Sequence, residues 1–167
     1  HREYCPGDDI RHIVWRLYAR ADRYYIKQYE QETNLRTYLL LDCSGSMAYP
    51  EQAGAERMSK FDYAACIAAS LAYLLLHQQD AVGLIMFDTD VRKAIAPSSN
   101  PAQLHNITQA IASTEPAAST DVKVLFHRLA DQIAHRSLLI LISDLLTDPQ
   151  AVIDGLAHLR YCRHDVI

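Results

Sequence analysis

A run of leucines that ends in a carboxylate and two hydroxyls, residues 39–47 read as LLLDCSGSM, constrains this chain more than any other stretch. Leu39, Leu40 and Leu41 leave no polar face, so the segment is expected to be a strand buried on both sides, as in the middle of a parallel sheet. Its chemistry then stands at its C-terminal end. There Asp42, Ser44 and Ser46 offer three oxygen donors close together, and Gly45 lets the loop fold back. Such a cluster suits a hard cation such as Mg²⁺ or Mn²⁺, which prefers oxygen, keeps several waters and takes few protein carboxylates. The same residue types also serve as helix N-caps, but a cap needs one such side chain and this loop supplies three.

The rest of the chain alternates strand and helix signals. Ser59-Lys60-Phe61-Asp62 reads as a capping box opening a helix to about His77, whose face of Phe61, Ala65, Ala68, Ala72 and Leu75, with Ala64, Leu71 and Leu74 beside it, leaves little polar surface. A second buried strand is expected over 81–87, and Asp88-Thr89-Asp90 turns the chain into an antiparallel edge strand over 91–95. Asn100 and Pro101 provide an N-cap and a first-turn proline for a helix to about Ser113 carrying Leu104, Ile107 and Ile111. After a small-residue loop over 114–120, Val122, Leu125, Phe126, Leu129 and Ile133 mark another helix. Residues 138–143 form a third buried strand ending in Asp144, Thr147-Asp148-Pro149 open a helix to about Arg160, and 165–167 begins a further strand. This alternation predicts an α/β, Rossmann-like fold: a mostly parallel sheet flanked by helices, with one antiparallel edge strand and right-handed crossovers.

Residues 1–34 read as an extension to that core. Pro6-Gly7 is a turn, Ile10, Ile13, Val14 and Leu17 recur at helical spacing, 24–29 reads as a strand, and 31–34 as a turn. Asp8, Asp9, Arg11, Arg16 and Arg20 are read as a solvated ion-pair surface, whose pairs are individually weak.

Composition narrows the function classes. With 167 residues, half of them hydrophobic, the chain is one ordinary domain. A net charge of −4 with dispersed Lys and Arg carries no electrostatic footprint for nucleic acid. Cys5, Cys43, Cys66 and Cys162 show no metal or disulfide spacing, and the eight histidines are scattered, so reduced thiols in a cytoplasmic setting are expected. The apolar stretch over 63–76 is too short and alanine-rich to span a membrane.

Ligands of open α/β sheets bind outside the carboxyl ends of the strands, at the point where strand order reverses. Asp144 ends a buried strand as Asp42 does, and Thr147 or Asp148 already serves as the next cap, leaving Asp144 to face the Asp42 loop as an outer-sphere carboxylate. Ser119, Thr120 and Asp121 stand where a cap is also needed; Thr120 is the candidate metal hydroxyl among them.

Asp-x-Ser-x-Ser after a buried strand resembles the metal-ion-dependent adhesion site of von Willebrand factor A domains. Arg2, Tyr4, Pro6-Gly7-Asp8-Asp9, Arg11, Ile13, Trp15, Ala19-Arg20 and Lys27, followed by LLLDCSGSM and Lys60, together resemble the bacterial family called domain of unknown function 58, whose core is von Willebrand factor A-like. The resemblance covers nearly the whole chain. It implies that Asp42, Ser44, Ser46, Thr120 and Asp144 match the five adhesion-site positions, with Ala118-Ser119-Thr120 standing where a Gly-Thr loop is common. It implies Mg²⁺ or Mn²⁺ as the ion, an acidic side chain of a protein partner as its ligand, and a MoxR-type AAA+ ATPase as the candidate partner. It further implies a segment of a longer protein, since family members often carry transmembrane helices before this region and are then tethered to a membrane.

The resulting expectation is a metal-dependent protein-interaction module and not an enzyme. The ligands place no general base beside a nucleophile, and Cys43-Ser44-Gly45 is not the G-x-S-x-G elbow of a hydrolase. The enzyme alternative is a Mg²⁺-dependent phosphatase of the haloacid dehalogenase type, with Asp88 as nucleophile and Asp90 as general acid. Against it, Arg92 replaces the Thr or Val of that motif and a hairpin return replaces its loop into a helix. A structural domain that has lost its metal is the third alternative.

Overall fold

A computed structural model of the chain describes residues 2–5, 14–16, 18, 23–26, 36–50, 57–117 and 122–167. The chain divides into two compact units, His1–Glu32 and Thr33–Ile167. In the smaller, β1 (Arg2–Glu3) pairs antiparallel with β2 (Tyr25–Ile26). Tyr18 stacks on Tyr24 with ring centroids 4.6 Å apart, and Tyr4 meets Tyr24 edge-on. The expected strand over 24–29 is thus realised at Tyr25–Ile26; most of the expected helical run from Ile10 to Leu17, and the turn at 31–34, lie outside the described residues.

The larger unit is built on a five-stranded sheet. Its strands are β3 (Arg36–Asp42), β4 (Ala81–Phe87), β5 (Val91–Ser98), β6 (Leu138–Ile142) and β7 (Asp165–Val166), in the order β5-β4-β3-β6-β7. All neighbours are parallel except β4 and β5. Four helices connect them: α1 (Lys60–His77), α2 (Ala102–Ala112), α3 (Val122–Gln132) and α4 (Pro149–Tyr161). Among the described residues no helix is long and apolar enough to cross a membrane.

Strand alternation sorts the leucine run into two cores. Leu39 and Leu41 pack with Phe61, Ala64, Ala68 and Ala72 of α1 and with Ile107 and Ala110 of α2. Leu40 points the other way, onto Leu125, Phe126 and Leu129 of α3 and Val152 and Leu159 of α4. The strand is therefore buried on both faces, as its sequence requires. Small alanines bring α1 close to the sheet, and a capping box fixes its start: Ser59 Oγ accepts from the Asp62 N–H at 3.0 Å while the Asp62 carboxylate accepts from the Ser59 N–H at 3.3 Å.

Three expectations are corrected. Leu74 of α1 is 53 % exposed, because it lies on the face of the helix turned away from Ala64, Ala68 and Ala72. The edge strand runs to Ser98, with Gln103 of α2 donating to the carbonyls of Val82 at 2.9 Å and Ala96 at 2.8 Å across an irregular stretch of pairing. The third strand is only half-buried except at Leu139, since β7 beside it is just two residues long.

Gly155 of α4 lies against Phe126; a Cβ there would fall 2.0 Å from the ring. Gly155→Ala should destabilise the domain by about 1–3 kcal/mol through overpacking, read as a lower urea midpoint at unchanged slope; an unchanged midpoint would show that α3 and α4 can separate freely. His164 is buried before β7 with neither ring nitrogen hydrogen-bonded, and burial, only partly offset by the Asp165 carboxylate, holds its pKa below the ordinary value. The unfolded chain then takes up the proton first, so stability is full above about pH 6.5 and declines as pH falls from there to the folded pKa. His164→Leu should flatten stability between about pH 7 and 5, as measured by denaturation at a series of pH values; an equally steep decline in the variant would contradict this assignment.

Candidate metal centre

The order of the strands places the site. From β3 the chain builds outward through β4 on one side, and from β6 through β7 on the other, so the carboxyl ends of β3 and β6 flank the point of reversal. Asp42 ends β3, and Ser143 and Asp144 follow β6 directly. Their side chains meet: the Ser143 hydroxyl donates to Asp42 Oδ2 at 2.6 Å, and the Ser44 N–H donates to Asp42 Oδ1 at 2.8 Å. Asp42 is 1 % exposed, so these two bonds stabilise a carboxylate that burial would otherwise penalise.

After Asp42 the chain makes a 3₁₀ turn over Gly45–Ala48, bringing the Ser44 and Ser46 hydroxyl oxygens to 3.1 Å from each other. Ser46 Oγ then donates to Asp144 Oδ1 at 3.2 Å. Four of the five residues read from the sequence, Asp42, Ser44, Ser46 and Asp144, are thereby joined in one network from two strand ends. Thr120 lies outside the described residues, as do residues 51–56 of the connection before α1. The described part of the third loop does approach: the Ala117 N–H donates to the Cys43 carbonyl at 3.0 Å. The donor set holds two carboxylates and two hydroxyls, and among the described residues no three His, Cys, Asp or Glu side chains gather.

Three features escaped a reading of residue types. Lys60, the first residue of α1, donates from Nζ to Asp144 Oδ2 at 2.8 Å, with the Tyr49 ring centroid 5.8 Å away. Burial raises the Asp144 pKa, but the hydrogen bonds from Lys60, the Leu146 N–H and Ser46, together with the Lys60 charge, outweigh it and hold the carboxyl below its ordinary value. Ser143 is the second, a tie to Asp42 foreshadowed only by its place beside Asp144. Leu145 is the third, with φ of 51° in the left-handed region, a conformation costly for leucine. The Ser143 hydroxyl accepting from the Leu145 N–H at 2.9 Å holds that turn. Leu146 beyond it is 75 % exposed and, with Gly45, Ser46, Tyr49 and Lys60, lines a depression of about 450 Å³ beside the network.

Asp88 and Asp90 occupy the hairpin turn between β4 and β5, as expected. Asp88 Oδ2 pairs with Arg92 Nε at 3.3 Å, and Asp88 Oδ1 accepts from the Asp90 N–H at 3.2 Å. Asp90 pairs instead with Arg128, whose hydrogen bond holds its pKa below the ordinary value. The two carboxylates face different arginines and converge on no common centre. Cys43, buried beneath the loop, has its thiol pushed up to about 12 by burial, despite Arg92. Iodoacetamide should therefore alkylate the exposed Cys5 and Cys66 of the native protein and spare Cys43, as read by peptide mass spectrometry; early modification of Cys43 would mean that the loop opens readily.

Residues 1–167 match the family described as Protein of unknown function DUF58. An uncharacterized protein of Mycobacterium tuberculosis is 25% identical over 148 residues, covering 87% of this chain and 45% of the relative, so the chain spans about half the length of the curated relatives it matches. Among solved structures, the conserved hypothetical protein BatB from Bacteroides thetaiotaomicron superposes with a TM-score of 0.59 at 16% identity, over 79% of this chain and 64% of that one. An aerotolerance-related membrane protein from Bacteroides fragilis gives 0.61 at 16% identity, over 79% and 65%. The von Willebrand factor domain of the type V pili tip protein Mfa5 from Porphyromonas gingivalis gives 0.51 at 15% identity, over 66% and 37%. The fold is thus von Willebrand factor A-like, and the chain belongs to the DUF58 family.

Proposed function

We propose that this DUF58 domain is a metal-dependent protein-interaction module and not an enzyme, in which Asp42, Ser44, Ser46, Thr120 and Asp144 hold Mg²⁺ or Mn²⁺ and an acidic side chain of a partner completes the coordination. The observation that carries the reading is the pair of serine hydroxyls 3.1 Å apart. An octahedron with metal–oxygen bonds of about 2.1 Å has neighbouring ligand oxygens about 3.0 Å apart, so this pair suits one edge of it. The donors are all oxygen and include two neutral hydroxyls, which leaves a bound dication with much of its charge and a preference for an external anion.

The chain's own part is to hold those donors before any partner arrives. Asp42 is anchored by Ser143 and by the Ser44 amide, Ser44 and Ser46 by the 3₁₀ turn, and Asp144 by Ser46 and Lys60. The ion when bound supplies one Lewis-acidic position for a carboxylate. The likeness to the von Willebrand factor domain of a pilus tip protein supports an interaction role, and the family resemblance supports a MoxR-type AAA+ ATPase as partner. A cytoplasmic site, with the whole protein tethered to a membrane, belongs to the same proposal.

Mg²⁺ or Mn²⁺ should stabilise the domain by about 2.7 kcal/mol when free metal is ~100 times its Kd, seen as a higher Tm. Asp42→Ala should lower the basal Tm and abolish the metal shift. If parent and variant respond equally to metal, the centre lies elsewhere. Binding to the ATPase should vanish in EDTA and in Ser44→Ala, and undiminished binding in EDTA would rule out a metal-bridged contact.

A further inference from the structure

Lys60 is poorly placed for a residue that only serves its helix. It is the first residue of α1, where the positive end of the helix macrodipole disfavours a cation and where Asp62 is the acidic residue of the first turn. Its ammonium reaches back to Asp144 Oδ2 at 2.8 Å, although 43 % of the Lys60 side chain is exposed and water is available to it. The Asp144 side chain is 16 % exposed, and its other oxygen accepts from Ser46 and from the Leu146 N–H. The Tyr49 ring stands 5.8 Å from the ammonium, and the Lys60 N–H donates to the Tyr49 carbonyl at 2.9 Å. A full positive charge is thus held from two directions against one carboxylate of the network that bears the candidate metal ligands.

We propose that Lys60 is a tethered cation that competes with the divalent ion for Asp144 and so sets the metal affinity of the site. The inference rests on the metal reading of the site and adds a residue to it. Asp42 and Asp144 together bring two negative charges, and Lys60 cancels one of them, so a dication entering beside Ser46 meets a repelling charge and a carboxylate already engaged. The depression that Lys60 lines with Tyr49 and Leu146 would give the ammonium room to leave Asp144 Oδ2 when an ion is bound. Lys60 is a positioning residue in this scheme: it makes occupancy conditional on metal concentration and keeps Asp144 oriented meanwhile.

The test is titration of Mn²⁺ into the parent chain, Lys60→Met and Lys60→Arg, followed by calorimetry and by the water-proton relaxation of the bound ion. Lys60→Met keeps the aliphatic stem and removes the charge. It should bind Mn²⁺ about tenfold more tightly, the scale of a unit charge removed from near an exposed dication, while melting at a lower temperature without metal. Lys60→Arg should stay near the parent value. A merely structural role for Lys60 predicts the opposite sign, because a disordered Asp144 weakens the site. Equal or weaker binding by Lys60→Met would overturn the competition and leave the metal centre standing. Absence of Mn²⁺ binding in all three chains would overturn the centre itself, and this inference with it.

Discussion

A buried carboxylate at the end of a strand buried on both faces is the constraint on which the rest of this structure depends. Asp42 cannot reach water, so its two oxygens must find donors within the fold. One donor is the backbone of its own loop at Ser44, and the other is the hydroxyl of Ser143 on the neighbouring strand. The second of those bonds ties the β3 loop to the β6 loop. Satisfying the charge and assembling the network are therefore one event.

The layers around β3 explain why that event happens at the same place each time the chain folds. Alanines at 64, 68 and 72 set α1 close on one face, and α3 and α4 close the other through Phe126, Leu129 and Leu159. The crossover from β3 to β4 and the return through α3 to β6 leave the carboxyl ends of β3 and β6 side by side. A third segment is drawn in by one backbone bond, from Ala117 to the Cys43 carbonyl, while Arg92 links the hairpin turn to the Glu115 carbonyl at 2.8 Å.

Charge is distributed unevenly over this rim. The acids of the hairpin turn are paired with arginines, Asp88 with Arg92 and Asp90 with Arg128. At the strand ends, Asp144 pairs with the Lys60 ammonium and also accepts from Ser46 and the Leu146 amide, while Asp42 is held by a hydroxyl and a backbone amide. The rim thus has a local excess of oxygen donors at one point. The exposed apolar side chains of Tyr49 and Leu146 border it, and Leu145 between that border and Asp144 is held in a left-handed conformation that only the surrounding hydrogen bonds sustain.

The sequence by itself determined the layers, the parallel core and most of the polar network at the strand ends. Periodicity and capping residues are local signals, so the start of α1 at Ser59, the cap of α4 at Asp148 and the burial of Leu39 to Leu41 could be read directly. Asp42, Ser44 and Ser46 were legible because one short loop carries them all, and Asp144 because it repeats the position of Asp42 on another strand. Only the tertiary structure decided what meets Asp144. Lys60 lies 84 residues away in sequence and Ser143 lies 101 from Asp42, separations across which no periodicity acts. Leu74 is exposed for a local reason, since it lies about 200° around α1 from Ala72 while Leu75 and Leu76 still reach the core. Local pattern fixes where each donor sits on its own element; the pairing of strands fixes which donors face one another.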